Sequence, residues 1–351
     1  MLTEEFKDFV YFSKWFRADY PTLYKEITAI LDANGMGHGL LSLTRDYWCR
    51  DYMPVQWGNE LYAQFIYRPD YLRNDPKHLT DTDKVLHAMP RIGWVDKYPL
   101  VADGGNFVFC RKKTTNWNCY KYYIVMTDKI MLENPNYTQE EVEAILRKSL
   151  FAENAELVWL PWNHSDTFGH TDGILRYVGA KQLRRPNVLA NLSLYEPDHA
   201  AQMRAILENH FKVIDLKLSG YDELSWAYIN LLQTRDVIII PGIGNPKTDR
   251  EALCQIKKLY PQYGNRIYQV QMRPFIERGG GALNCCTWTI SRELSGIVHN
   301  EENNSRYQEL VRKAEKADYS LTKEEIFFLG DYYPLRLEAI SPLLEKCYYG
   351  F

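Results

Sequence analysis

The chain has 351 residues, of which 46% are hydrophobic and 25% are charged, and its formal net charge is −3. This composition indicates a globular protein with enough apolar residues for one large domain or two of ordinary size. The near balance of charges excludes a general attraction to nucleic acid or to an anionic membrane. Any cationic ligand therefore has to be drawn by a local group of carboxylates.

The cysteines form an odd set of seven without a regular spacing, at positions 49, 110, 119, 254, 285, 286 and 347. No CxxC pair occurs, so neither a disulfide framework nor a zinc ribbon is indicated. The chain begins with an acidic, amphipathic segment, whereas a secretory signal is basic and then apolar. No apolar stretch is long enough to cross a membrane. These features predict a soluble, cytoplasmic protein.

The first elements lead to a dense polar segment. Apolar residues at helical spacing predict a helix over residues 4–34, which Pro21 divides in two. A short strand over residues 40–43 then leads into residues 44–54, which contain Trp48, Arg50 and Asp51. Charged side chains this dense after an apolar strand are poorly explained by packing. An exposed Arg50-Asp51 turn is an equally good interpretation at this point.

A second polar cluster follows a predicted strand over residues 60–67 and a polar loop over residues 68–83, which is predicted to be exposed. Asp103-Gly104-Gly105-Asn106 interrupts a predicted strand over residues 101–109. The pattern is typical of an ordinary hairpin turn. It also places Asp103 at a strand end, where the site residues of α/β proteins gather.

A third cluster, Gly169-His170-Thr171-Asp172, follows the predicted strand 157–160. If residues 169–178 are extended, His170 and Asp172 lie on the same face, with an imidazole beside a carboxylate. A metal site is not indicated, because no third His or Cys stands at ligand spacing. Structural burial of a lone histidine is the alternative.

The remaining elements alternate between strand and helix, which predicts an α/β fold. Thr138 and Glu141 form a capping-box pattern that opens a helix reaching about residue 151. Further strands are predicted over residues 120–126, 188–193, 211–218, 237–240 and 267–272, and further helices over residues 197–209 and 249–259. From residue 300 the chain is charged and helical, with a second capping-box pattern at Thr322 and Glu325.

The glycine run Gly279-Gly280-Gly281 leads directly to two adjacent thiols, Cys285 and Cys286. A buried strand is predicted over residues 282–290, on which the two cysteines face opposite sides, so that only one faces a given cavity. Both can also be read as small buried apolar residues. A thiol needs a base or a cationic neighbour to become a nucleophile, and His170 can serve. Carboxylates such as Asp51 and Asp172 suit a guanidinium, a planar cation with forked donors.

Five short motifs therefore occur in order: Trp48-x-Arg50-Asp51-x-x-Pro54, Asp103-Gly104-Gly105-Asn106, Gly169-His170-x-Asp172, Tyr228-x-Asn230 and Gly279-Gly280-Gly281-x-x-x-Cys285-x-Thr287. Together they resemble the agmatine deiminase and bacterial-type peptidylarginine deiminase family of guanidino-group-modifying enzymes. The resemblance implies a five-bladed α/β propeller (pentein) of ββαβ-type modules. We expect this catalytic domain over residues 1–299 and a helical C-terminal extension over residues 300–351.

The resemblance also implies roles for individual residues. Cys285 would be the nucleophile and His170 the general acid and base, with Asp51 and Asp172 as guanidinium ligands and Asp103 orienting the histidine. The residues expected around the substrate are Trp48, Arg50, Asn106, Asn230, Gly280 and Gly281. The implied reaction passes through a covalent thiouronium, releases ammonia and then a ureido product, and needs neither a metal nor an organic cofactor.

Two departures from the usual motifs of the family concern the substrate rather than the chemistry. Agmatine deiminases commonly have Asn-Ile-His before the cysteine, whereas this chain has Ala282, Leu283 and Asn284, and Met53 replaces the usual glycine before Pro54. A small guanidino compound is expected, with agmatine giving N-carbamoylputrescine, and neither nucleic acid nor membrane as partner. Self-association is usual among the relatives, so a homo-oligomer is an open expectation. The alternatives are a protein-arginine deiminase, an amidinotransferase or dihydrolase, and a catalytically silent guanidinium-binding or scaffold protein.

Overall fold

The computed structural model describes residues 2–89, 92–114, 120–180 and 184–292, with residues 306, 309, 310, 312, 313, 322 and 325 of the C-terminal part. Within these residues, fifteen strands form five three-stranded sheets. The strands are β1 (Phe9–Ser13), β2 (Gly37–Leu41), β3 (Val55–Gly58), β4 (Leu61–Ile66), β5 (Trp94–Val101), β6 (Val108–Lys113), β7 (Tyr120–Thr127), β8 (Glu156–Leu160), β9 (Leu175–Gly179), β10 (Asn187–Ala190), β11 (Lys212–Asp215), β12 (Leu232–Gln233), β13 (Ile238–Gly242), β14 (Ile267–Gln271) and β15 (Thr287–Ile290).

Helices connect particular pairs of these strands. The described part of the chain contains α1 (Lys14–Asp19), α2 (Pro21–Ala33), α3 (Cys49–Tyr52), α4 (Thr82–His87), α5 (Lys129–Glu133), α6 (Gln139–Ser149), α7 (Pro197–His210), α8 (Pro246–Leu259) and α9 (Arg273–Gly279). In this same part of the chain, no helix combines the length and the apolar character needed to span a membrane.

All five sheets repeat one connection pattern. In the sheet β3-β4-β5, β3 and β4 pair antiparallel, and β4 and β5 pair parallel across α4. The same order recurs in β6-β7-β8, β9-β10-β11 and β12-β13-β14. In the fifth sheet β15 pairs antiparallel with β1, and β1 pairs parallel with β2. The prediction of five ββαβ-type modules in an α/β propeller is confirmed.

The fifth sheet corrects the prediction at the start of the chain. Residues 9–13 are strand β1 rather than part of a helix, and four of the five are buried. A strand covered on both faces reads as a continuous apolar run, which in the aromatic sequence Phe-Val-Tyr-Phe is not distinguishable from a buried helix by periodicity. The boundary at Pro21 is confirmed, because this proline is the first residue of α2.

Three turns also differ from their predictions. The segment before β15 is a turn, with the backbone N–H of Cys286 donating to the carbonyl of Ala282 at 3.0 Å, so only Thr287–Ile290 is strand. The Asp103 turn is not a hairpin, since β5 and β6 belong to different sheets and a 3-10 turn, Gly104–Asn106, joins them. Residues 171–173 likewise form a 3-10 turn rather than an extended strand. Each polar cluster is therefore a connection between sheets, which places it at the point where the modules meet.

Strand β13 is buried on both of its faces, which accounts for its three consecutive isoleucines. Ile238, Ile239 and Ile240 are all 0% exposed and lie in one cluster with residues of α2 and α8 such as Ile27 and Ile256. Consecutive buried residues require cover on both faces of the sheet, which the packed modules provide.

The predicted capping box of α6 is confirmed, with reciprocal bonds between Thr138 and Glu141. Thr322 and Glu325 make the equivalent pair of bonds in the C-terminal part. The predicted domain boundary at residue 299 lies outside the described residues, and so does most of the helical extension.

Candidate active site

A cavity of about 460 Å³ opens among the connections between the sheets. Most of the predicted site residues lie in its wall, namely Trp48, Asp51, His170, Asp172, Asn230, Gly280, Gly281 and Cys285. Asp103, Arg50 and Asn106 lie behind the wall. The polar clusters that the sequence separates by more than two hundred residues are thus brought to one place by the ring of modules.

Cys285 faces this cavity, and Asn230 holds it there. The Asn230 side chain donates to Cys285 Sγ at 3.1 Å and accepts from the Cys285 backbone N–H at 3.2 Å. Burial raises the pKa of Cys285 well above its ordinary value, and the carboxylates of Asp172 and Asp51 raise it further. The thiol is therefore protonated in the ligand-free protein and lies 3.6 Å from an Asp172 oxygen.

His170 lies between two carboxylates. Its Nε2 is 3.0 Å from Asp103 Oδ2 and its Nδ1 is 3.5 Å from Asp51 Oδ1. Burial lowers the pKa of His170, but Asp51 and Asp103 outweigh burial and raise it to about 10. Because both ring nitrogens face acceptors, the imidazolium is the form that satisfies them, and it is a ready proton donor.

Asp51 and Asp172 supply the negative charge of the cavity. Burial raises the pKa of Asp51, while the adjacent imidazolium of His170 opposes this shift and favours the carboxylate form of Asp51. Asp172 Oδ2 accepts a hydrogen bond from Asn284 Nδ2 at 2.6 Å, whereas its Oδ1 is buried and has no hydrogen-bond partner in the protein. A buried carboxylate oxygen without a partner is costly, so it marks a place for a donor from a ligand.

The side chain of Asn284 is fixed from behind by two arginines. Its Oδ1 accepts from Arg176 Nη2 at 2.9 Å and from Arg50 Nη2 at 3.2 Å. This arrangement turns the amide nitrogen of Asn284 towards Asp172. The two cations thereby act on Asp172 through a neutral amide and leave its other oxygen, Oδ1, without a partner in the protein.

Two predicted substrate contacts need correction. Arg50 bonds Asn284 and Thr289 behind the cavity, because neighbouring residues of the short helix α3 point in different directions and Asp51 takes the cavity side. Asn106 accepts from the Thr127 backbone N–H and the Thr171 hydroxyl, both at 2.8 Å, and is buried. Both residues support the site rather than line it.

The model of the Porphyromonas-type peptidyl-arginine deiminase family matches residues 38–290. The chain belongs to this family.

Agmatine deiminases are among the proteins that this deiminase-family chain resembles in sequence and in fold. The agmatine deiminase of Pseudomonas syringae pv. tomato is 26% identical over 200 residues, which cover 47% of this chain and 52% of that relative. The chain spans about half the length of the curated relatives it matches. The solved C. jejuni agmatine deiminase superposes with a TM-score of 0.60 at 16% identity, covering 83% of this chain and 95% of that one. The solved Enterococcus faecalis agmatine deiminase superposes with a TM-score of 0.57 at 18% identity, covering 83% of this chain and 95% of that one.

The glycine run of this family member shapes the wall beside Trp48. Gly280 has a φ of +69° and ends α9 in the left-handed conformation that glycine adopts without strain. A β-carbon at Gly281 would overlap the six-membered ring of Trp48. The run is therefore needed for the close approach of the backbone to this indole.

Replacing Gly281 with alanine is expected to displace Trp48 and to lower kcat/KM at least about tenfold, because misplacing a cavity wall disturbs substrate alignment. Steady-state kinetics on any guanidino compound that is turned over would measure this effect. Gly220→Ala is the matched control, since a β-carbon there meets no atom within 4 Å and its φ is not positive. That variant should keep full activity, and equal losses in the two variants would contradict the assigned role of Gly281.

The proton on His170 makes stability depend on pH. The folded protein holds this proton up to a pKa of about 10, whereas the ordinary value is 6.5. The stabilisation is complete below about pH 6.5 and is lost as the pH rises towards 10. We expect the unfolding free energy of wild type, relative to His170→Gln, to fall by a few kcal/mol, to order of magnitude, over this range. Urea unfolding at several pH values would measure it, and a pH-independent difference would refute the shift.

Several cavity residues were not predicted from the sequence. They are Tyr71, Asn163, Asp166, Phe168, Leu194, Tyr195, Glu223 and Trp226. Tyr71 lies in the polar loop that was predicted to be an exposed excursion. The only available signal was the presence of single aromatic residues within polar connections, and that signal is weak.

Proposed function

We propose that the protein hydrolyses the guanidino group of a small dicationic substrate, with agmatine as the first candidate, to a ureido product and ammonia. The observation that carries this proposal is the buried, unpartnered Oδ1 of Asp172 in the same cavity as Asp51, His170 and the Cys285 thiol. A guanidinium satisfies such an oxygen with a charge-assisted hydrogen bond.

The substrate cation would also activate the nucleophile. Asp51, Asp172 and the Cys285 thiol lie close together in the cavity, and burial together with the two carboxylates keeps the pKa of Cys285 high. A guanidinium between Asp51 and Asp172 offsets both negative charges and favours the thiolate. The Cys285 proton then passes to solvent water as the substrate binds, which leaves the thiolate next to the carbon that is attacked.

The chemistry that fits these groups has two stages. Cys285 Sγ forms a bond to the guanidinium carbon, and the imidazolium of His170 gives its proton to the departing nitrogen as the carbon–nitrogen bond breaks and ammonia leaves. The resulting thiouronium is attacked by water, from which the now neutral His170 removes a proton. The carbon–sulfur bond then breaks and the hydroxyl proton of the adduct passes to solvent water, which releases the ureido product and restores the Cys285 thiolate. Asp103 holds Nε2 of the imidazole throughout, so Nδ1 is the nitrogen that gives and takes the proton.

The outer part of the cavity favours a second positive charge on the substrate. Asp166 and the exposed Glu223 lie in its wall, and among the described lining residues there is no Lys or Arg. Free arginine would bring its carboxylate towards these acids, which is unfavourable. Leu194, Tyr195 and Trp226 offer apolar surface for a methylene chain. The names of the curated relatives also favour agmatine.

A protein-arginine deiminase is the second candidate, and the description of the matching family favours it. The two activities are separated by measuring ammonia and ureido product with agmatine, free arginine and an arginine-containing peptide. Turnover of agmatine alone, with one ammonia per ureido group, would support the proposal. Turnover of the peptide at a comparable kcat/KM would favour the second candidate. No turnover of any of the three by folded protein would refute both and leave a silent guanidinium-binding protein.

A further inference from the structure

Tyr71 shares a carboxylate oxygen with the proposed catalytic histidine. It lies in the 3-10 turn Asp70–Leu72, between β4 and α4, and lines the cavity. Its hydroxyl donates to Asp103 Oδ2 at 2.7 Å, and His170 Nε2 lies 3.0 Å from that same oxygen. The other oxygen, Asp103 Oδ1, is buried and has no hydrogen-bond partner in the protein. The two donors therefore share one acceptor atom.

The tyrosine ring is held firmly in this position. It packs edge-on against Phe168, with centroids 5.1 Å apart, and Lys129 Nζ lies 5.0 Å from the ring centroid. Lys129 is 2% exposed, donates to the Thr167 carbonyl at 2.7 Å and pairs with Asp70 at 2.9 Å. This buried ammonium ties the turn that carries Tyr71 to the segment that precedes His170.

We infer that Tyr71 is a positioning residue which, by donating to Asp103 Oδ2, fixes that carboxylate and weakens its hold on the proton of His170. A hydrogen bond to a carboxylate stabilises its charge, so the carboxylate attracts a neighbouring cation less strongly. The imidazolium then gives up its proton more readily to a leaving group. The consequence for turnover rests on the proposed function, whereas the consequence for the histidine does not.

Other charges around His170 do not change this direction. Asp51 and Asp172 also face it, and Asp103 additionally lies near Glu133, whose pKa burial and Asp103 raise to about 7. Burial and Asp103 raise the pKa of Tyr71 well above its ordinary value, so the phenol stays a neutral donor. Lys129 contacts the ring of Tyr71, which phenylalanine keeps, so its effect on His170 is the same in wild type and in Tyr71→Phe.

Tyr71→Phe removes only the hydroxyl and keeps the ring. The imidazole of His170 would be titrated by NMR in the ligand-free protein, with His170→Gln assigning its signal. We expect the pKa of His170 to rise by about half a unit to one unit, as loss of one charge-assisted hydrogen bond implies. With agmatine as substrate, kcat should fall several-fold and KM should change less than about twofold. In the pH profile of kcat/KM, the basic limb should move to higher pH.

A double substitution provides the control. In an Asp103→Asn background the phenol has no carboxylate to act on, so adding Tyr71→Phe should leave the His170 titration unchanged. An unchanged titration in the single variant, or the same shift in both backgrounds, would overturn the inference. If wild type turns over no guanidino compound while the titration still shifts, the proposed function fails and the positioning role stands. If wild type turns over a guanidino compound but the His170 titration does not shift in Tyr71→Phe, the positioning role fails and the proposed function stands.

Discussion

Replacing Cys285 with alanine is expected to abolish deimination, by a factor of about 10⁴ or more, while the protein keeps its fold. The covalent route requires a nucleophile at this place, and among the described residues of the cavity wall no other thiol or hydroxyl of Ser or Thr is present. Ammonia release from agmatine, followed over hours at high enzyme concentration, would measure the residual rate. Binding of agmatine by calorimetry should persist, because Asp51 and Asp172 are untouched.

The neighbouring cysteine is a matched control for this variant. Cys286 is 0% exposed and its thiol donates to the Leu283 carbonyl at 3.6 Å, on the side away from the cavity. Cys286→Ala should keep near-wild-type kcat/KM and lose about 1 kcal/mol of stability through the lost buried group. Activity that survives in Cys285→Ala, or disappears in Cys286→Ala at unchanged fold, would show that the nucleophile is misassigned.

Replacing Asp172 with asparagine is expected to lower kcat/KM by about 10³-fold, since a buried charge pair with the substrate is lost. The asparagine can still accept from Asn284 through its oxygen, so the local structure is kept. Its amide nitrogen then points a donor at the guanidinium. The melting temperature should rise, because the repulsion between the carboxylates of Asp51 and Asp172 is removed.

Asp166→Asn is the matched control for Asp172→Asn and tests whether the negative charge has to be at position 172. It removes the same charge from the same cavity, and the asparagine oxygen can still accept from the Phe168 backbone, as Asp166 does at 3.0 Å. We expect a loss of less than about tenfold, mainly in KM, as for a partly screened charge. Equal losses in the two variants would mean that the guanidinium does not bind at Asp172.

The sequence alone located much of the candidate site. Asp51, His170, Asp172 and Cys285 stand in polar clusters that follow apolar strands, and such clusters are hard to explain by packing. Their convergence could not be derived from periodicity, because it depends on five modules closing into a ring. That arrangement came from the family resemblance, and the strand order of the five sheets confirms it.

The errors have identifiable physical causes. Arg50 and Asp51 are adjacent, and only the turn of α3 decides which of them faces the cavity. Residues 9–13 form a strand because β2 and β15 flank them, which is a tertiary condition that no local pattern contains. Tyr71 lies in a polar loop, and only the folded structure shows that its hydroxyl is within hydrogen-bond distance of Asp103. Local propensity is overridden in each case by contacts between distant segments.

The pairing of β1 with β15 has a consequence for biosynthesis. Phe9 lies opposite Ile290, so the sheet next to Cys285 joins the earliest strand of the described chain to its latest. While the ribosome makes the intervening modules, one edge of β1 has no partner and can recruit a strand from another nascent chain. Such long-range pairing is slow to form. The segment that carries Cys285 therefore reaches its place in the cavity only when β15 pairs with β1 and closes the ring.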